Sequence, residues 1–135
     1  MLSEISLEHV GFVTCNIPIF EAFWVDKLGF KKVWTSVIPQ TKIKYLFGID
    51  DTAICQRYEK DNVTLEIHQF AKTEIMRIDG FKKYGLNHIC LHVKNREKFV
   101  KKYDIKAIIY EDKERKKNYF MRDYESNWIE LRETL

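Results

Sequence analysis

The sequence lacks a long apolar run, an N-terminal leader pattern and a paired set of cysteines. No stretch approaches the roughly 20 apolar residues that a membrane-spanning helix needs. The first residues, MLSEISLEH, have neither the basic region nor the apolar region of a signal peptide. The cysteines number three and form no CxxC motif, so we expect no disulfide framework. These absences favour the reducing cytoplasm and predict no membrane partner.

The sequence also lacks a large excess of either positive or negative charge. The chain has 23 Lys and Arg against 20 Asp and Glu, interspersed along its length, and a net charge of +3. Its most basic segment, Lys113–Lys117, contains an acid and has the composition of a hairpin turn. We therefore predict no nucleic-acid partner. With 45% hydrophobic and 14% aromatic residues, the 135 residues suffice for one domain, 1–135, with its own core.

The segment Leu86–Asn95 alternates polar and apolar residues, which is typical of a β-strand with two unlike faces. Its polar face comprises His88, Cys90 and His92. A similar segment, Leu7–Asn16, lies near the N-terminus, and there His9 occupies the place of His88. An internal repeat of this kind indicates two copies of one supersecondary module.

Hydrophobic periodicity divides the chain into these two modules. Module one covers about 5–70, a linker covers 71–85 and module two covers 86–133. Each module is predicted to run β, α, β, β, β, and in the first both Lys42–Phe47 and Thr52–Tyr58 have strand-like patterns. One module alone would leave an apolar sheet face uncovered. We therefore expect an α+β fold in which two βαβββ modules form curved mixed sheets around a central cavity.

The last strands of the modules correspond as well, since Glu66 in the first matches Glu130 in the second. Together with His9 and His88 they form a repeated pair of imidazole and carboxylate. A lone strand histidine is usually a hydrogen-bonded core residue, and a lone strand glutamate usually faces water. The repetition instead favours a divalent metal site. These donors suit Zn, Ni, Mn, Fe or Co and exclude a structural thiolate zinc site.

Five segments carry a family resemblance: LEHVGF, EAFWVDKLGFK, LEIHQF, LNHICLHV and WIEL. In this order they resemble the vicinal oxygen chelate superfamily, the group of glyoxalases, bleomycin-resistance proteins and extradiol dioxygenases. The resemblance implies that the metal ligands are His9, Glu66, His88 and Glu130, as in the glyoxalase I pattern. It also implies a homodimer and a metal-dependent lyase or isomerase, whose small substrate chelates the metal through two adjacent oxygens.

Two positions depart from the glyoxalase I pattern. Val13 stands where that family has the arginine that grips glutathione, and Phe70 stands where it has an asparagine of similar role. The substrate is therefore predicted not to be the glutathione hemithioacetal. Two alternatives stay open: a bleomycin-resistance-like drug-binding protein without catalysis, and a fosfomycin-type metal-dependent thiol transferase.

Strand parity predicts which neighbours of the ligands face the cavity. The predicted substrate-binding residues are His68, Phe70, Trp128 and Arg132. Cys90 and His92 share the face of His88, but their counterparts in module one are Gly11 and Val13, which cannot coordinate a metal. The predicted catalytic residues are Glu130 first and Glu66 second, since a carboxylate released from the metal gains basicity and can move a proton.

Overall fold

Each half of the chain folds into its own four-stranded mixed sheet. The computed structural model describes residues 4–72 and 80–133, which form one compact unit within Met1–Met76 and another within Arg77–Leu135. The predicted linker, 71–85, lies partly outside the described residues. The strands are β1 (Val10–Val13), β2 (Lys31–Ile38), β3 (Ala53–Lys60), β4 (Val63–Phe70), β5 (His88–Val93), β6 (Ile108–Glu111), β7 (Lys117–Arg122) and β8 (Trp128–Glu133). The helices are α1 (Ile17–Glu21), which continues as a π-helical segment (Ala22–Lys27), α2 (Gln40–Phe47) and α3 (Arg96–Lys102). Within the described ranges, no helix is long and apolar enough to cross a membrane.

The two sheets have the same strand order. It is β1-β4-β3-β2 in the first unit and β5-β8-β7-β6 in the second. In each sheet the first strand pairs in parallel with the last, and the other pairs are antiparallel. The predicted α+β fold of two equivalent modules is confirmed, and each sheet is open rather than closed.

The first helix begins where the sequence predicts it. The Asn16 side chain accepts a hydrogen bond from a backbone N–H of the first turn at 3.2 Å, and Pro18 occupies that turn, where a missing N–H costs nothing. The following π-helical segment buries Trp24 completely. The centroid of its ring system lies 6.0 Å from that of Phe12 in β1 and 5.3 Å from that of Phe30. This packing fixes the position of β1 against the helix.

The segment predicted as a strand at Lys42–Phe47 lies instead in the helix α2. The helix begins after Pro39 and ends at Gly48, whose φ of 69° is left-handed and whose N–H donates to the carbonyl oxygen of Lys44 at 3.0 Å. Glycine adopts this conformation without steric cost, so it terminates the helix. The strand prediction was wrong because the segment is short. Its one buried side chain, Ile43, gives no period that distinguishes a helix from a strand.

Strand alternation separates the core face of each sheet from a polar face. In β4, Leu65 and Ile67 are fully buried, and Glu66 and His68 alternate with them on the opposite face. In β8, Ile129 and Leu131 are fully buried, and the opposite face holds Trp128, Glu130 and Arg132, of which Glu130 is also buried. The alternation therefore places each candidate glutamate on the face away from the apolar core.

Candidate metal centre

The first candidate pair, His9 and Glu66, is brought together by the parallel pairing of β1 with β4. In that register Gly11 lies beside Glu66, and His9 comes two residues earlier on the same side of the chain. The Nδ1 atom of His9 lies 3.6 Å from Oε2 of Glu66. The side chains are 38% and 14% exposed, so the pair is accessible from the surface of its unit.

Two residues that the sequence analysis missed surround this pair. Glu8 contacts Nδ1 of His9 with one carboxylate oxygen and accepts a hydrogen bond from Arg57 with the other. Arg57 is the cross-strand partner of Glu66, and its Nε lies 3.7 Å from Glu66 Oε2. The hydrogen bonds with His9 and Arg57 hold the pKa of Glu8 below its usual value. The four side chains thus form one network of two carboxylates, an imidazole and a guanidinium.

The second pair, His88 and Glu130, lies at the equivalent strand positions of the other unit, but a different ring nitrogen faces the glutamate. The Nε2 atom of His88 lies 3.5 Å from Oε1 of Glu130. The Nδ1 atom of His88 lies 2.6 Å from Oδ1 of Asn87, and because that oxygen can only accept, Nδ1 carries the proton. This tautomer leaves a lone pair on Nε2, the nitrogen nearest the glutamate. A metal ligand requires such a lone pair.

Arg132 and Cys90 lie beside Glu130. The Nε of Arg132 donates to Oε2 of Glu130 at 3.0 Å, and this hydrogen bond raises the pKa of Arg132. Cys90 is the cross-strand partner of Glu130. Desolvation, followed by the negative charge of Glu130, raises the pKa of its thiol. One oxygen of Glu130 therefore faces an arginine and the other faces His88.

The separation of the second pair suits two ligands of one metal ion. Bonds of about 2.0–2.1 Å to imidazole nitrogen and about 2.0–2.2 Å to carboxylate oxygen put the two atoms about 2.8–3.5 Å apart, for angles of about 90–109°. The 3.5 Å between Nε2 of His88 and Oε1 of Glu130 lies at the upper end of that range. In the first pair the 3.6 Å is measured from Nδ1 of His9, which donates to Glu8, so the nitrogen left for a metal is Nε2. A direct hydrogen bond would need about 2.7–3.2 Å. His88 and Glu130 therefore fit a divalent ion better than they fit a simple hydrogen-bonded pair.

The family of the chain follows from its sequence. Residues 8–124 match the model of the Glyoxalase/Bleomycin resistance protein/Dioxygenase superfamily. The chain belongs to this superfamily. The matched region contains His9, Glu66 and His88 and ends before Glu130. No curated protein matches the sequence.

Solved structures share the superfamily fold at low sequence identity. A glyoxalase family protein from Enterococcus faecalis is 22% identical, over 93% of this chain and 95% of its own, with a TM-score of 0.69. One from Bacillus cereus is 13% identical, over 100% and 99%, with a TM-score of 0.72. A genomically encoded fosfomycin resistance protein from Listeria monocytogenes, complexed with Mn(II) and sulfate, is 11% identical, over 100% and 95%, with a TM-score of 0.58. At these identities the likeness establishes the fold alone.

Two of the predicted substrate-binding residues, Trp128 and Arg132, lie on the polar face of β8. Trp128 is the cross-strand partner of His88. Its ring lies edge-on to Phe81 at 5.7 Å and to Phe120 at 6.3 Å, and Phe81 stacks on the ring of His88 at 5.5 Å. Within the described part of the chain, Nε1 of Trp128 is buried without a hydrogen-bond partner. The surroundings of His88 are therefore aromatic and include an unused N–H donor.

The other two, His68 and Phe70, follow Glu66 on the polar face of β4. His68 is the cross-strand partner of Cys55. Phe70 lies at the end of the strand and borders a cavity of about 270 Å³. The described residues contain two clusters of potential metal ligands: Glu8, His9 and Glu66, and Cys55, Glu66 and His68. Glu66 belongs to both.

The internal repeat could have identified two residues that the sequence analysis did not single out, Glu8 and Asn87. Aligning His9 with His88 places Glu8 opposite Asn87, and each of these side chains contacts Nδ1 of the histidine that follows it. Metal-binding histidines usually donate their second ring N–H to such an oxygen. Arg57 has no counterpart of this kind, since Phe120 takes the equivalent place beside the second glutamate. Only the cross-strand register reveals it.

We expect Asn87→Ala to weaken Mn²⁺ binding by about 10–100-fold, because His88 loses the oxygen that fixes its tautomer and orientation. Asn87→Asp keeps an acceptor and should retain most of the affinity. Isothermal titration calorimetry with Mn²⁺ measures both. Asn95→Ala serves as the control: it removes the N-cap of α3 and about 1 kcal/mol of stability, and leaves the affinity unchanged. Equal affinities for the Asn87→Ala and Asn95→Ala variants would contradict the role of Asn87.

Proposed function

We propose that the protein is a glyoxalase-like, metal-dependent lyase or isomerase that acts on a small substrate with two adjacent oxygen atoms. The observation that carries this proposal is repetition. Each unit holds one His–Glu pair, with separations of 3.6 and 3.5 Å. A coincidental surface pair has no reason to recur at equivalent strand positions of two modules. Membership of the superfamily supports the same interpretation.

The proposed ligands are His9, Glu66, His88 and Glu130, and the proposed cofactor is one divalent ion of Zn, Ni, Mn, Fe or Co. Imidazole and carboxylate donors suit these ions, and two carboxylates balance the charge of a divalent cation. When bound, the ion would supply Lewis acidity and open positions for two neighbouring substrate oxygens. The substrate class is then a hydroxy ketone, a diol or a carboxylate.

In this proposal Glu130 moves a proton to or from the carbon beside the chelating oxygens, and Glu66 is the second candidate. The Glu130 side chain is 11% exposed, so few water molecules compete with a substrate for the carboxylate. Arg132, whose Nε lies 3.0 Å from Glu130 Oε2, holds the carboxylate in place. The proposed substrate-binding residues are Arg132, Trp128, His68 and Phe70.

The glutathione hemithioacetal is not the proposed substrate. Val13 is 54% exposed and is the cross-strand partner of His68, so an apolar side chain is accessible where the glyoxalase I pattern has a guanidinium. Phe70, two residues after His68, replaces the amide of that pattern. Neither side chain can hydrogen-bond a glutathione carboxylate, which favours a smaller substrate without a peptide portion.

Metal binding tests the proposal. Protein purified without chelators should contain at least one divalent ion per chain by elemental analysis, and chelator-treated protein should bind Mn²⁺ again. His88→Ala should weaken Mn²⁺ binding more than the about 10–100-fold expected for loss of an outer-shell partner. Asn118→Ala, in β7 of the same sheet, is the matched control and should leave the affinity unchanged. A folded protein that binds none of Zn²⁺, Ni²⁺, Mn²⁺, Fe²⁺ and Co²⁺ would overturn the proposal.

A drug-binding protein without catalysis is the second candidate, and the arginines favour it. Glu66 lies 3.7 Å from Nε of Arg57 and Glu130 lies 3.0 Å from Nε of Arg132, so each carboxylate has a positive partner within the protein. The aromatic side chains around His88 suit an aromatic or cationic compound. Such a protein would keep its ligand affinity after chelator treatment. A fosfomycin-type transferase would instead consume a thiol together with an epoxide.

We further propose that the active form is a homodimer whose sites draw ligands from both chains. His9→Ala and His88→Ala proteins then each lack one ligand in every site. Refolding an equal mixture should restore about a quarter of the wild-type Mn²⁺ sites, because half of the dimers are mixed and each mixed dimer holds one intact site. Calorimetry on the refolded mixture measures this recovery. Dimers that recover no site would show that each chain builds its own.

A further inference from the structure

A second cluster of potential metal ligands lies on the polar face of the first unit. Cys55 of β3 and His68 of β4 are cross-strand partners, and Glu66 precedes His68 by two residues on the same face. The potential ligand atoms of the three side chains all lie within 4.8 Å of one another. Sulfur, nitrogen and oxygen donors are therefore grouped by backbone register rather than by a flexible loop.

The two carboxylate oxygens of Glu66 face different groups: one faces Cys55 in this cluster and the other faces His9. Its Oε1 lies 3.6 Å from Sγ of Cys55, while its Oε2 lies 3.6 Å from Nδ1 of His9. A carboxylate can bind two cations, one through each oxygen. The contact with Cys55 is therefore compatible with the role proposed for Glu66 toward His9.

The separation between sulfur and oxygen matches a tetrahedral ion. Zinc bonds of about 2.3 Å to thiolate sulfur and about 2.0–2.2 Å to carboxylate oxygen place these atoms about 3.6 Å apart at the tetrahedral angle. The Cys55 thiol donates a hydrogen bond to Oε1 of Glu66 with Sγ and Oε1 3.6 Å apart, so the two atoms already lie at this separation. A thiolate ligand selects borderline or soft ions such as Zn²⁺, Co²⁺ and Cd²⁺ over Mg²⁺ and Mn²⁺.

We propose that Cys55, Glu66 and His68 form a second cation site, specific for a thiophilic divalent ion. Cys55 is buried, while Glu66 and His68 are partly exposed and give a hydrated ion access from the sheet face. As the metal–sulfur bond forms, the thiol proton leaves to solvent, and no atom changes oxidation state. Water or a substrate atom completes the fourth position.

The neighbouring charges allow a cation at this place. Arg57 is the closest positive residue, with Nε 3.7 Å from Glu66 Oε2, the oxygen that faces away from Cys55. Its Nη2 is paired with Glu8, which offsets the guanidinium charge. Glu8, Glu66 and Arg57 sum to one negative charge, so a divalent ion with a thiolate would make this group neutral. Lys42 also acts on the Cys55 thiol, less strongly than Arg57 does, and would add one positive charge.

Cobalt absorption tests this site independently of the proposed function. We would titrate chelator-treated His88→Ala protein with Co²⁺, since that substitution disables the four-residue ligand set. The expected result is a near-ultraviolet thiolate-to-cobalt charge-transfer band, which saturates at about one ion per chain. Cys55→Ser should abolish the band. His68→Ala should weaken Co²⁺ affinity by about tenfold or more, since even outer-shell partners contribute about 10–100-fold.

Cys90→Ser is the matched control, because Cys90 also lies beside a candidate glutamate but is not part of a cluster with a histidine among the described residues. The Cys90→Ser protein should keep the thiolate-to-cobalt charge-transfer band. Absence of the band in the parent protein, or its loss in Cys90→Ser with retention in Cys55→Ser, overturns the second site. If Cys55→Ser fails to fold by circular dichroism, unchanged Co²⁺ affinity in His68→Ala overturns it. Mn²⁺ binding by the wild-type protein reports the proposed function separately.

Discussion

Replacing Glu130 with glutamine is expected to lower turnover by about 10²–10⁴-fold while the protein keeps its divalent ion. Glutamine preserves the shape of the side chain and one ligand oxygen, but its amide cannot take up a proton. Oε1 of Glu130 faces Nε2 of His88 at 3.5 Å, and Oε2 accepts the hydrogen bond from Arg132. The loss should therefore appear in kcat, and the metal content should stay near one ion per chain.

The measurement uses protein loaded with Mn²⁺ and a panel of small hydroxy ketones, diols and hydroxy acids. Glu133→Gln is the control, because Glu133 lies on the same strand and accepts a hydrogen bond from the backbone N–H of Arg96 at 3.0 Å. It should leave turnover unchanged. Unchanged turnover in Glu130→Gln with metal still bound would contradict the role of this glutamate. If turnover is abolished in Glu66→Gln but not in Glu130→Gln, then Glu66 is the residue that moves the proton.

The two modules repeat their proposed ligands but not the arginines beside them. Arg57 reaches Glu66 from the neighbouring strand, whereas Arg132 reaches Glu130 from two residues along the same strand. A guanidinium beside a ligand carboxylate competes with a cation for its lone pairs. The distance to Glu66 is 3.7 Å and that to Glu130 is 3.0 Å, so the first carboxylate is held less tightly. A metal ion that binds Glu66 should therefore disrupt a weaker arginine contact than one that binds Glu130.

The fold could be predicted from sequence because two signals agreed. The repeat of Leu7–Asn16 in Leu86–Asn95 indicated two modules, and strand alternation placed the apolar residues of each sheet on one face. The helix at Gln40–Phe47 escaped prediction because only one of its side chains is buried. Its ends, Pro39 and Gly48, were visible in the sequence. The capping residues were a better guide there than the pattern between them.

For the site, the sequence could predict only which residues share one face of a single strand. His9 and Glu66, like His88 and Glu130, are matched by the repeat, and the structure brings the members of each pair to within 3.6 Å. Arg57 could not be predicted, because its contact depends on the register between β3 and β4. Whether both pairs bind one ion stays a prediction.

Replacing Trp24 with alanine is expected to remove about 3–5 kcal/mol of stability, a large part of the about 5–15 kcal/mol available to a domain. Trp24 is completely buried. Its ring meets Phe20 at 6.0 Å and Phe23 at 5.2 Å, in addition to rings from β1 and from the segment before β2. The resulting cavity would remove contacts from all of them. The midpoint of thermal unfolding should fall by about 10–15 °C.

Circular dichroism is the appropriate measurement, since the substitution removes a fluorophore. Phe47→Ala is the control in the same unit: Phe47 is 62% exposed, and its loss should cost about 1 kcal/mol or less. Because Trp24 contacts Phe12 in β1, which directly follows His9, the cavity should also loosen the strand that positions this ligand. Mn²⁺ affinity should therefore fall in Trp24→Ala protein at temperatures where it is still folded. An unchanged affinity would show that His9 is positioned by Glu8 and Arg57 rather than by the core.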